Sequence, residues 1–188
     1  MAPAQQIVVL GDSLAISPSR ESNFATELQA RLYATHPGWT IVNQGIRGDT
    51  TSGGLRRFEY ALAGNPRVLI LELGANDGLR AVDIQSIETN LATMIDGAHA
   101  RGIQVLLCGM ETPPLRGWTY TRAFHDIYPR LSARYNVPLV PFLLDGVAFR
   151  GDLNHDGIHP NANGAKMVAE NVWPYLERVV RSCGVGSR

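Results

Sequence analysis

The chain has 188 residues, 45% apolar and 18% charged, with 17 Lys plus Arg balanced by 17 Asp plus Glu. That length fits one domain spanning 1–188 and can bury a core without disulfide or metal staples. Zero net charge supplies neither a basic face for nucleic acid nor an acidic tail, and no stretch nears the roughly 18 uninterrupted apolar residues of a membrane span.

The N-terminal MAPAQQIVVLGDS has no charged segment ahead of a long apolar one, so no signal peptide is expected in this chain. It leads into a first strand at Ile7–Leu10, followed by a helix face of Phe24, Leu28 and Leu32. Trp39–Val42 reads as a second strand, and Leu55, Phe58 and Leu62 as a second helix. The third pair is Val68–Leu73 with the stripe Ile84, Ile87, Leu91, Met94, Ile95 and Ala98, close to the 3.6-residue period. Val105–Cys108 and Leu139–Phe142 are the last strands, followed by helix faces at Phe124, Ile127, Leu131 and at Val168, Val172, Leu176, Val179. Continuous apolar runs suit strands buried on both faces, so the alternation predicts a doubly wound α/β domain with a parallel sheet. Cys108 reads as a buried thiol and Cys183 as part of a frayed terminus, RSCGVGSR, with no disulfide expected between them.

In such folds the site lies at the carboxyl ends of the strands. Four segments meet that condition. Gly11-Asp12-Ser13-Leu14 ends the first strand and presents a hydroxyl, although alone it reads more readily as a turn or helix cap. In Ile46-Arg47-Gly48-Asp49, Gly48 leaves a backbone N–H approachable. In Leu73-Gly74-Ala75-Asn76-Asp77-Gly78, Asn76 offers a side-chain N–H from what reads as a glycine-rich loop. In the long loop Leu144–Asn161, Asp152 and His155 share their spacing with Asp156 and His159, so spacing alone does not choose the carboxylate–imidazole pair. A metal site using His155 and His159 would need both on one helix face, which Gly157 and Pro160 oppose.

Taken in order, VVLGDSL, IRGDTTSGGLRR, LELGANDGLR and DGIHPN resemble the four blocks of the SGNH (GDSL-type) hydrolases. Within them the similarity is to the bacterial thioesterase I, lysophospholipase L1 and arylesterase branch, and it extends over essentially the whole chain. The resemblance implies a three-layer, flavodoxin-like fold with a five-stranded parallel sheet of order 2-1-3-4-5. It also implies Ser13 as nucleophile, His159 as base and Asp156 as its orienting carboxylate, DGIHPN favouring His159 over His155. The oxyanion hole would be the backbone N–H groups of Ser13 and Gly48 with the Asn76 side chain. The segment Gly78–Val82 would close over an acyl chain.

The activity so implied is hydrolysis of carboxylic esters or thioesters with short to medium acyl groups, aryl esters or lysophospholipids, without cofactor or metal. Gly78, Leu79, Leu115, Trp118 and Ile158 are the candidate substrate contacts, with Val82 and Phe149 as further apolar loop residues. A carbohydrate acetylesterase of the same family is one alternative. A non-catalytic phosphate- or nucleotide-binding module is another, and the chain carries neither glycine-rich phosphate motif for it. The expected partner is the small-molecule substrate, the expected state a monomer or weak homodimer, and the resemblance favours a periplasmic or secreted protein.

Overall fold

The computed structural model describes residues 5–185 and contains one parallel sheet of order β2-β1-β3-β4-β5. The strands are β1 (Gln5–Gly11), β2 (Trp39–Asn43), β3 (Val68–Glu72), β4 (Gln104–Cys108) and β5 (Leu139–Val140). Ile7 lies beside Ile41 on one side and Val68 on the other, which makes β1 an interior strand. Its residues Ile7 to Leu10 are buried throughout, as a strand covered on both faces requires.

The helices are α1 (Phe24–Thr35), α2 (Thr51–Arg56), α3 (Phe58–Ala61), α4 (Ala75–Leu79), α5 (Ile84–Ala100), α6 (Trp118–Tyr135) and α7 (Ala162–Val185). α1 packs on α7, while α5 packs on α2 and α6. Both α7 and the α5–α6 pair reach β4, so the sheet lies between two helical layers. Each layer starts from local signals. Asn23 and Thr26 close a reciprocal capping box on α1, and the Asp83 carboxylate accepts the Ser86 N–H at the start of α5. No helix among the described residues is long and apolar enough to cross a membrane.

Four expectations change. β5 stops at Val140 rather than Phe142, because Pro141 has no N–H for the ladder. The helix expected around Leu55, Phe58 and Leu62 is two short helices broken at Arg57, whose guanidinium turns inward to three part-buried acceptors. The segment after β3 is not a loop but the short helix α4, starting directly after Gly74. Cys183 is not frayed: α7 runs to Val185 and Cys183 is buried on it, its thiol free like that of Cys108.

α7 braces the last long loop. Gly164 comes so close to that loop that an added Cβ would stand 2.0 Å from the Leu153 carbonyl oxygen and 3.0 Å from Pro160 Cβ. Gly164→Ala must push helix and loop apart, and should lower stability by about 1–3 kcal/mol in urea denaturation. An unchanged midpoint would show that α7 does not support the loop.

Candidate active site

β1 ends at Gly11, where there is no room for a side chain: an added Cβ would lie 2.3 Å from the Glu72 carboxyl. Asp12 and Ser13 follow, and a single 3₁₀ turn, Leu14–Ile16, turns the chain away. Ser13 is 7% exposed, and its Oγ lies 2.8 Å from His159 Nε2. His159 Nδ1 in turn lies 2.6 Å from Asp156 Oδ2. The other carboxylate oxygen, Asp156 Oδ1, accepts the backbone N–H groups of His159 at 2.8 Å and Ile158 at 3.0 Å. These bonds, the His159 N–H first and its imidazole after it, hold the Asp156 carboxyl down at about 2. Serine, imidazole and carboxylate thus form one hydrogen-bonded line.

The alternative pair separates. Asp152 turns to the Arg150 guanidinium at 2.8 and 3.1 Å, and His155 meets the His159 loop through its backbone N–H. Residues 151–161 are turns closed by an Asn154–Pro160 bridge, so His155 and His159 do not share a helix face. Asn154 is the hub of this loop. Its Nδ2 donates to the carbonyls of Val147 and Arg150, and its Oδ1 accepts the Gly157 N–H. Gly157 has φ +92°, a region where side chains are strained. Asn161 Oδ1 accepts from the N–H groups of Asn163 and Gly164, capping α7.

The second and third segments converge on the first. Gly48 adopts φ +72°, and its carbonyl accepts from Arg80. Its N–H, like that of Ser13, donates to no described protein group. Asn76, in the first turn of α4, donates from Nδ2 to Asp12 Oδ2 at 3.0 Å and to the Asp49 carbonyl at 2.9 Å. It therefore bridges the neighbour of Ser13 and the neighbour of Gly48. Behind them, Arg57 donates to the carbonyls of Gly11 and Gln44 and to Asp49 Oδ2. Asp77, also buried, accepts twice from Thr51 and so ties α4 to α2.

A cavity of about 480 Å³ opens beside this line, with Leu14 and Ile158 in its wall next to Ser13 and His159. Of the expected substrate contacts, Leu79, Trp118 and Ile158 line it, as does Phe149. Gly78 is packed under Phe124, Leu115 projects into solvent, and neither it nor Val82 contributes to the wall. Sequence reasoning passed over Met110, Phe142, Leu144 and Ala148 as wall residues; they come from two separate segments. It also passed over Asp12 and Arg57, which lie within the first and second blocks, and Asn154, which stands just before the fourth.

The GDSL-like lipase/acylhydrolase family matches residues 9–167. Esterase TesA of Pseudomonas aeruginosa is 39% identical over 180 residues, 94% of this chain and 90% of that protein. Thioesterase 1/protease 1/lysophospholipase L1 of Escherichia coli strain K12 is 34% identical over 182 residues, 95% of this chain and 86% of its own length. Among solved structures, the crystal structure of TesA superposes with a TM-score of 0.88 at 38% identity, covering 93% of this chain and 99% of that one.

Burial raises the Asp12 carboxyl from 3.8 to about 7, against the opposing Leu14 and Asn76 bonds, and pushes Glu72 well above its ordinary range. A raised carboxyl holds its proton longer in the folded chain than in the unfolded one. Its stabilising contribution is complete below about pH 4 and is lost as pH climbs toward 7. Asp156 acts oppositely, its contribution being lost as pH falls from about 4 to 2. Between about pH 5 and 8 the Tm should therefore decline, and Asp12→Asn should flatten that decline. Parallel curves for the two proteins would show that Asp12 does not titrate in this window.

Proposed function

The chain belongs to the GDSL-like lipase/acylhydrolase family and is a hydrolase of carboxylic esters or thioesters, for which we propose Ser13, His159 and Asp156 as the catalytic triad. The observation that carries this reading is the unbroken Ser13–His159–Asp156 line opening on a cavity walled mainly by apolar side chains.

In this mechanism His159 Nε2 takes the Ser13 proton as Oγ attacks the acyl carbonyl carbon, a step general-base catalysis accelerates by about 10²–10⁴-fold. Asp156 stays ionised, holds the imidazole with Nδ1 protonated and balances the imidazolium that forms. The tetrahedral oxyanion is held by the N–H groups of Ser13 and Gly48 and by Asn76 Nδ2. His159 then gives its proton to the departing alkoxide or thiolate, leaving an ester on Ser13. Water, deprotonated by His159, attacks that ester; collapse releases the acid and returns the proton to Ser13.

The substrates proposed are esters and thioesters with short to medium acyl chains, aryl esters included and lysophospholipids among the candidates. The acyl chain would lie along Leu79, Trp118 and Ile158.

A fluorophosphonate should add once to the protein, on Ser13, as mapped by intact mass and peptide sequencing. The adduct should vanish in His159→Ala and persist in His155→Ala. No adduct on Ser13 would remove the triad and bring the binding-module alternative forward. The cavity also predicts a chain-length trend. Each methylene buried in it is worth about 0.8 kcal/mol, so kcat/KM should rise about fourfold per methylene above acetyl until the cavity is full. A preference for acetyl esters, with no gain on lengthening, would favour the acetylesterase alternative.

A further inference from the structure

The proposed reaction leaves unexplained why a carboxylic acid is wholly buried against its nucleophile. Asp12 is 0% exposed, precedes Ser13 directly and divides its side chain between two partners. Oδ1 accepts the Leu14 N–H at 2.8 Å, closing a turn around Ser13, and Oδ2 accepts from Asn76 Nδ2 at 3.0 Å. Its backbone N–H donates to Glu72 Oε2 at 3.1 Å, and Glu72 is itself wholly buried with Oε1 unpartnered. Two carboxyl groups side by side in a core, one oxygen orphaned, are an arrangement that stability alone disfavours.

We propose that Asp12 is a positioning residue for the oxyanion hole: its carboxyl group fixes the Asn76 amide with the N–H end forward while holding the turn that carries Ser13. An asparagine amide has a donor end and an acceptor end, and only the donor end stabilises an oxyanion. Were the amide turned over, its Oδ1 would face the Asp49 carbonyl and, once Asp12 is ionised, a carboxylate oxygen as well, with no donor from either. The neutral Asp49 carbonyl is the partner that yields its N–H as charge grows on the substrate oxygen, and Asp12 is the pivot that remains. No substrate contact is assigned to Asp12; it acts through Asn76, and the inference rests on Ser13 and Asn76 having the roles proposed above.

A double-mutant cycle on a soluble aryl ester tests it. Asp12→Asn keeps an oxygen for the Leu14 N–H but turns an NH₂ group toward Asn76, so donor meets donor. It should lower kcat on the order of 10- to 100-fold with KM changed less than about twofold. Asn76→Ala should lower kcat by about 10²–10³-fold. The two together should be no slower than Asn76→Ala alone, within about twofold. Additive losses, or an unchanged kcat in Asp12→Asn, would overturn the proposal. If Asp12→Asn does not fold, as judged by circular dichroism and Tm, Asp12→Ser carries the same cycle, its hydroxyl serving Leu14 but too short to hold Asn76 as well. Fluorophosphonate labelling of the unmodified protein separates the two failures. Without a Ser13 adduct the catalytic reading falls; with the adduct and an additive cycle, only the role of Asp12 falls.

Discussion

The guanidinium of Arg57 donates to the Gly11 carbonyl where β1 ends, to the Gln44 carbonyl where β2 ends, and to the Asp49 carboxylate in the loop beyond. Where strands leave a sheet their carbonyls still need donors: the Gly11 carbonyl takes the Ile46 N–H and then Arg57, and the Gln44 carbonyl takes Arg57. A planar fork with five N–H groups serves three acceptors at once, which an ammonium on a flexible stem does less well. The same cation lies in the field of Glu72, where it counters the rise that burial imposes. The proposed catalytic edge is built outward from this point: Ser13 lies two residues past Gly11, Gly48 precedes Asp49, and Asn76 joins the two strands' loops.

The edge is a polar network set into an apolar core, and the two parts do different work. The core, with β1 and β3 covered on both faces, supplies the free energy of folding. The network adds little net stability, since each bond replaces one with water and each buried acid is costly to dehydrate. Its effect is geometric. Alternative placements of Asn76 or Asp49 would orphan a buried donor or acceptor, so few arrangements survive. The preorganisation that the proposed oxyanion hole requires follows from that restriction.

His159 reaches the site by a separate route. Its loop carries no strand and is held by side chains bonding to backbone: Asn154 to Val147, Arg150 and Gly157, and Asn161 to the first turn of α7. The proposed nucleophile is therefore mounted at the end of a sheet strand and the proposed base on a turn-rich loop, joined by one 2.8 Å contact. The cavity lies where the two supports meet, with Leu14 from one and Ile158 from the other.

The sequence by itself determined the fold class and the order of the elements, because apolar runs and helical stripes such as Ile84 to Ala98 are local patterns tied to burial. It also placed the four chemical segments at strand ends, and the resemblance of those segments to a family named the residues that the structure brings together. What it left open was decided by contacts between distant positions. Asp152 with His155 and Asp156 with His159 have identical spacing; the resemblance favoured the second pair, and the folded loop gives its imidazole to Ser13 while turning Asp152 to Arg150. The break at Arg57 arises from acceptors 8 to 46 residues away, and the burial of Cys183 from the packing of α7. Leu115 and Leu144 look alike as loop hydrophobics, yet one faces solvent and the other lines the cavity. Periodicity reports which residues are apolar; which of them share a wall, and which buried acid faces which amide, depends on where separate segments meet in space.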